Sequence, residues 1–587
     1  MKQLATAALV VLALGGCQSS APQSSEIAPV CDVACQQAQF DTLANTFIDE
    51  LLALQPEWAL YAGDYQYAQQ LTIPDAAYRQ RQRDFAAQWR ARFDDLGELD
   101  EARQIDLALM RNQLDKMLWY LDSYQGWQWN PANYNVAGPF GRLLSESWAD
   151  EDTKLRTVLA RMEGVPAYYR AGREALSNPT QEHLQLAVLQ NQGALSVFDD
   201  SLLGRVAESN LDAQEQALFE KRYWRSRQAI QSYISFLERS LTEFDPQTGR
   251  DFRLGEALYE QKFALDIQAE MTAAQLYDKA KADQAQARKQ MVGITKQLWP
   301  KYFRGTAMPR DPQQAVRAMV DHLSQSHVSR DNFVAEVKRQ IPELEQFVVQ
   351  QDLITLDPDK PLVVRETPPY MRGIAGASIS APGPFEKQGN TYYNVTPLDG
   401  LSDEAAESYL REYNDWMLQI LNIHEAIPGH YTQLVYANLS PSLVKSLLAN
   451  GAMIEGWAVY AERMMLEQGY GDFEPELWLM YWKWNLRVIS NTLLDYGVHV
   501  KGMSQEEAMD LLVNQAYQQE QEAKEKWRRV TLSQVQLTSY YAGFREILDL
   551  REQLKSQQKE AFELKAFHEQ FLSYGNAPVG MIRQLML

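Results

Sequence analysis

The sequence predicts a mainly α protein, a large helical fold carrying one small β-sheet, and three observations lead there. From about Gln36 to Gln350, apolar residues recur at three- and four-residue intervals with charges between them, as in AAYRQRQRDFAAQWRARFDDL and ARQIDLALMRNQLDKMLWYL. Near Pro361 the texture changes: PLVVRETPPYMRGIAGASISAPGPF and NTYYNVTPL hold β-branched and aromatic runs bounded by Gly and Pro, the signature of short strands. Helical periodicity then returns, most strongly in GAMIEGWAVYAERMM. Pro and Gly fall between the helical runs, as connections require, and no fixed-period repeat points to a solenoid.

Residues 1–17, MKQLATAALVVLALGGC, join an early lysine, an apolar stretch and small residues before a cysteine. That pattern is a secretory signal, too short for a spanning helix. Leu14-Gly15-Gly16-Cys17 has the form of a lipobox, which predicts cleavage before Cys17 and a lipid anchor on its thiol. Gln18 follows rather than an aspartate, so the periplasmic face of the outer membrane is the favoured location. Residues 18–38, rich in Ser, Pro and Gln at their start, read as a flexible tether. The rest divides into an N-terminal helical part, 39–350, and a part carrying the chemistry, 351–587, together one two-lobed unit.

Cys31 and Cys35 are the remaining cysteines; an exported compartment permits a disulfide between them, though it would close only a small loop. The composition, 45% hydrophobic and 11% aromatic, supports a large core. A net charge of −21 argues against nucleic acid or an anionic membrane surface as partner.

The chemistry centres on IHEAIPGHYTQ, residues 423–433, where His424 and Glu425 are adjacent and His430 follows Pro428-Gly429. Two imidazoles beside a free carboxylate suit a catalytic zinc. The histidines are six residues apart, whereas the familiar helical HExxH motif separates them by four. Six residues on a straight helix turn the second ring about 120° away and lift it about 9 Å. Pro428 removes an N–H and clashes with the preceding turn, and Gly429 supplies backbone freedom. A bulge or kink between the two histidines is therefore expected to restore convergence.

Twenty-five residues past His430 stands Glu455, in a strongly apolar helical segment where a carboxylate needs a partner. It is the favoured third ligand. Glu462, two helical turns on and on the same face, is the alternative, or a carboxylate supporting a ligand from behind.

HEAIPGHYTQ, EGWAVYAE, LLDYGVHVKGMSQEEA, SYYAGFREILDLR and FHEQFLSYGNAPV, in that order, resemble the bacterial domain of unknown function 885 family, whose members resemble gluzincin metallopeptidases such as thermolysin and angiotensin-converting enzyme. The resemblance implies a helical fold with a deep central channel, a zinc ion held by two histidines and a glutamate, and an edge strand ahead of the first histidine helix that binds the substrate main chain. Ala375 to Ser380, including Ala377 and Ser378, matches that strand; a small structural hairpin is the alternative. By the same pattern Tyr540 matches a tyrosine that donates a hydrogen bond to an oxyanion.

Other candidates come from spacing. Asp495 and His499, four apart, share a helix face. Asp495 is placed to orient a ligand or to pair with Arg487, and His499 to meet the substrate carbonyl or carboxylate; an ordinary helical salt-bridge face would look the same. Arg545 and Arg551 are suited to clasp a substrate carboxylate, or to make surface pairs within REILDLRE. His183, His322, His327 and His568 have no framing signature and read as structural.

The expectation is a periplasmic, lipid-anchored zinc peptidase acting on peptide substrates, with His424, His430 and Glu455 on the metal and Glu425 as general base. Two alternatives stand beside it: a non-catalytic envelope binding or scaffold lipoprotein that retains a metal site, and a zinc hydrolase of another amide or ester.

Overall fold

The computed structural model describes residues 33–367, 376–386, 390–440 and 442–587. It is mainly α, with one three-stranded sheet. The signal segment, Cys17, Cys31 and Ala375 lie outside the described residues. Helix starts already at Val33, so the end of the expected tether is helical, and Cys35 within that helix is disulfide-bonded.

Two hydrophobic cores organise the chain. One is built from residues between Leu60 and Leu237, with Phe140, Phe198, Tyr223 and Tyr233 at its centre. The other gathers buried residues from two stretches of the chain, Phe40 to Leu121 and Phe252 to Ile582. The division expected near residue 350 is therefore not a division of packing. Residues 252–350 share a core with the later part because the long helix α1 (Ala273–Tyr302) lies along the buried helix α6 (Pro475–His499). Helix α1 starts with a capping box: Thr272 accepts from the Gln275 N–H, and the Gln275 side chain answers the Thr272 N–H. Almost every residue of α6 is buried, the mark of a helix surrounded on all sides.

The helices around the expected site follow in order: α2 (Phe333–Gln350), α3 (Met417–Glu425), α4 (His430–Leu439), α5 (Gly451–Glu467), then α6, α7 (Glu520–Leu532), α8 (Ser539–Gln558) and α9 (Leu564–Ser573). The sheet, β1 (Leu362–Glu366), β2 (Ala377–Ser380) and β3 (Thr391–Val395), falls where the β-rich stretches lie. β3 is central, parallel to β1 and antiparallel to β2. Its Tyr393 hydroxyl donates to Asn422 Oδ1 of α3 at 2.8 Å, and the Asn422 amide reaches Gln340 of α2 at 2.7 Å. The sheet is thus tied to the helix that carries His424.

Helices α5 and α8 meet backbone to backbone. A Cβ on Gly456 would fall inside the main chain of Gly543, and one on Gly543 inside that of Ala452. Glycine at both positions is what allows this approach, and it brings the start of α8 beside Glu455.

Candidate metal centre

Helix α3 stops at Glu425 and α4 begins at His430, so the break between the histidines is complete rather than a bulge. Gly429 N–H donates to the Ile423 carbonyl at 3.0 Å, folding the connection back on α3. A Cβ at Gly429 would collide with the carbonyl oxygens of Ile423 and His424, so only glycine fits this approach. The Pro428 carbonyl accepts from Trp457 Nε1 at 2.8 Å, which pins the break to α5.

The consequence is convergence. The His424 and His430 rings stand edge to face with centroids 4.7 Å apart. Glu455 Oε2 lies 3.8 Å from His424 Nε2 and 3.4 Å from His430 Nε2. One ligand atom from each of the three residues falls within 4.8 Å of the others. Two imidazole nitrogens and a carboxylate oxygen so disposed form a donor set able to hold a divalent cation of the zinc type.

Glu462, fully buried, meets the far side of His424: its Oε1 is 2.6 Å from Nδ1 and also accepts from Trp484 Nε1 at 2.9 Å. A carboxylate on Nδ1 fixes the tautomer and leaves Nε2 facing Glu455 and His430. Of the two acids weighed as third ligand, Glu455 stands among the Nε2 atoms and Glu462 stands behind one ring.

Burial dominates the electrostatics. It drives His424 well below the ordinary histidine range, helped by the charges of His430 and Arg487, and drives Glu462 well above the carboxylate range. At His430 burial also pushes downward, but hydrogen bonding and charge from Glu455 outweigh it and the net direction is up. Burial raises Glu425 to about 7, with His430 opposing and Glu455 reinforcing. Glu425 keeps a solvent-reached face, and its carboxylate has no hydrogen-bond partner among the described residues.

Tyr540 opens α8 close enough to Glu455 to feel its charge; burial and that charge raise its phenol, so the hydroxyl keeps its proton at neutral pH. Its Oη lies 3.5 Å from Arg529 Nη2. The turn before it is held by Asp495, which accepts from the Val535 N–H (2.9 Å), the Leu537 N–H (3.1 Å) and the Tyr259 hydroxyl (2.8 Å). Val535 sits there at φ 71°, a strained conformation for a β-branched residue.

Several expectations change. Asp495 neither touches a ligand nor pairs with Arg487; its acceptor sites go to that turn, and Arg487 faces Glu522. His499 is corrected from a substrate contact to a packing residue: its Nε2 faces the carbonyls of Val530 (2.8 Å) and Ser533 (3.1 Å), and its ring packs against Tyr259 and Phe252. Arg551 pairs with Glu467 and Glu552, and Arg545 with Asp549 and Asp283, so both guanidinium groups are engaged within the protein. Ala377 and Ser378 lie on β2, an edge strand packed near α3, with β3 as its one partner among the described residues.

The sequence reading passed over a group of charges beside the site. Lys483 and Arg487 on α6, Glu522 and Lys526 on α7, and Glu412 meet there. Their signal was available, since Lys483 and Arg487 are four apart in an otherwise apolar helix, as are Glu522 and Lys526 in theirs.

Comparison with known proteins gives kinship without a function. The chain is 58% identical to a candidate lipoprotein of unknown function from Shewanella oneidensis, whose structure matches with a TM-score of 0.87 over 94% of this chain and 99% of that one. A candidate lipoprotein from Colwellia psychrerythraea, 16% identical, shares the fold with a TM-score of 0.74 over 94% of this chain and 98% of its own. No curated protein matches. The model of the family described as bacterial protein of unknown function (DUF885) matches residues 56–586, and the chain belongs to that family.

Proposed function

We propose that this protein is a zinc-dependent metallopeptidase of the bacterial cell envelope, tethered through a lipid on Cys17 on the periplasmic side, that hydrolyses peptide bonds of oligopeptides. The observation that carries the reading is the division of labour among three carboxylates at one place. Glu455 joins two imidazole Nε2 atoms, Glu462 holds His424 from behind, and Glu425 stands beside them without a hydrogen-bond partner among the described residues. A merely structural ion site has no use for that third carboxylate. The likeness of HE-x-x-P-G-H to gluzincin motifs and the lipoprotein description of the Shewanella relative support the same reading.

His424, His430 and Glu455 would hold the zinc, which when bound supplies a Lewis acid for the scissile carbonyl and acidifies a water. Glu425 takes the proton of the attacking water and returns it to the leaving amine. Tyr540 donates its hydroxyl proton to the oxyanion that develops on the carbonyl. The edge of β2 that has no strand partner among the described residues would offer main-chain hydrogen bonds to an extended substrate, independent of its side chains.

The test is a mixed peptide library incubated with full-length, zinc-loaded protein and read by mass spectrometry. Cleavage that falls by about 10²–10⁴-fold in Glu425→Gln, at unchanged zinc content, is the expected result. An intact library at full zinc occupancy would overturn the peptidase reading.

A further inference from the structure

Helix α7 ends at Leu532 and α8 begins at Ser539, and the short turn between them is gripped from several sides. Asp495 accepts from the N–H groups of Val535 and Leu537, and His499 Nε2 faces the carbonyls of Val530 and Ser533. From the N-terminal half of the chain, His183 Nε2 lies 3.1 Å from the Leu532 carbonyl, and Tyr124 donates to Gln534 Oε1 at 2.8 Å. Val535 is held at φ 71° within that grip, and strain of this kind persists only where the surroundings over-determine it.

The turn brings three side chains together. Arg529 Nη2 donates to Gln536 Oε1 at 2.6 Å and lies 3.5 Å from Tyr540 Oη, and the Gln536 side chain hydrogen-bonds the same phenol. With the Gln536 oxygen taken by Arg529, its amide N–H is what remains for the phenol. Two donors thus converge on Tyr540 Oη and turn its own proton away from them; among the described residues no acceptor takes that proton. The phenol stands close enough to Glu455 to feel its charge, which sets the hydroxyl beside the metal ligands. Arg529 and Gln536 are both exposed, and Arg529 has no carboxylate partner among the described residues. Exposed polar contacts add little to stability, so the fold itself has small need of this arrangement.

We infer that Arg529 and Gln536 are positioning residues for Tyr540: together they hold its oxygen and aim its proton at the oxyanion that develops on the scissile carbonyl. The inference rests on the peptidase reading and on the part given there to Tyr540. It adds two residues that act through the phenol without touching the metal ligands. Hydrogen bonds in a chain polarise one another, so a hydroxyl that accepts from a guanidinium is a stronger donor when negative charge appears in front of it. A donor already oriented needs no rearrangement in the transition state, and its worth falls on kcat rather than on KM.

Two readouts separate this role from an incidental surface contact. The first needs no turnover. Meta-fluorotyrosine is installed at position 540 of the full-length, zinc-loaded protein, and its fluorine NMR resonance is recorded alone and with Arg529→Gln or Gln536→Leu. A resonance that shifts or splits in either variant is expected, because the ring loses partners that fix it; one unmoved in both overturns the inference. The second readout is kinetic, on the peptide that the parent cuts fastest in the mixed library. Arg529→Gln should lower kcat about tenfold with KM within about twofold, and Tyr540→Phe should lower kcat by about 10²–10³-fold, the worth of an oxyanion donor. Arg529→Lys, which keeps the charge and a donor, should recover part of the loss. Added to Tyr540→Phe, Arg529→Gln should cost less than about twofold more, because the two act as one unit. An unmoved kcat, an effect on KM alone, or an undiminished loss on top of Tyr540→Phe overturns the inference, since Arg529 would then not act through the phenol. A parent that cuts nothing while the fluorine signal responds as expected counts against the peptidase reading alone.

Discussion

Glu462 gives the sharpest view of how the protein shapes its ligands. Its Oε1 alone serves both His424 Nδ1 (2.6 Å) and Trp484 Nε1 (2.9 Å), in a position with no solvent exposure. Two substitutions separate its contributions. Glu462→Gln keeps an acceptor oxygen for both N–H groups and removes only the capacity to ionise, charged hydrogen bonds being roughly twice as strong as neutral ones. Glu462→Leu removes both bonds and strands two buried donors, at about 1–3 kcal/mol each. Loss of such a partner behind a ligand histidine typically costs 10- to 100-fold in metal affinity, about 1.4–2.7 kcal/mol. The glutamine variant should sit at the lower end with a nearly unchanged melting temperature. The leucine variant should reach the upper end and lose about 2–6 kcal/mol of stability besides. Competition against a chromophoric zinc chelator measures the first quantity and denaturant unfolding the second. If Glu462→Leu binds zinc within about twofold of the parent, a margin far inside the expected loss, His424 is not oriented by this carboxylate or is not a ligand.

Further outcomes follow from other contacts. Pro428→Ala with Gly429→Ala should retain helical circular dichroism yet bind zinc more weakly, because the added Cβ cannot coexist with the Ile423 and His424 carbonyls; undiminished affinity would refute the role given to the break. Asp495→Ala should cost about 3 kcal/mol or more in denaturant unfolding by stranding three buried donors, and it should lower peptide cleavage by releasing the turn before Tyr540. Stability should also fall in mild acid. Burial lowers His183 and His568 from 6.5 to about 4, so each stays neutral in the folded chain while the unfolded chain takes up protons below pH 6.5. The unfolded state then binds more protons, stability drops as pH falls from 6.5 toward 4, and each histidine accounts for about 2 kcal/mol at pH 5. Denaturant unfolding at pH 7 and pH 5 checks this, and His568→Gln should reduce the difference.

What the sequence made legible was local. The Pro-Gly break, the carboxylate in an apolar helix at Glu455 and its neighbour two turns on at Glu462 are all short-range patterns, and they led to the residues that the fold brings together. The strands lay where β-branched runs met Gly and Pro. What escaped depends on contacts between distant segments. Asp495 and His499 share a helix face, as their spacing required, but that face looks toward Tyr259 and the backbone of 530–537, which no local pattern foretells. Arg545 and Arg551 found acids within four residues, Asp549 and Glu552, so the ordinary pairing weighed for them is the one the structure contains. The Gly456–Gly543 approach joins residues far apart in the chain, and burial rather than spacing reveals it.

Three side chains, His424, His430 and Glu455, are assigned to one metal ion, and elemental analysis of the gently purified protein tests that most directly. The parent should carry about one zinc per chain, and the His424→Ala, His430→Ala double variant almost none while keeping its helical circular dichroism. Stoichiometric zinc in the double variant, or a parent that takes up no divalent metal when zinc is supplied, would contradict the assignment of the site.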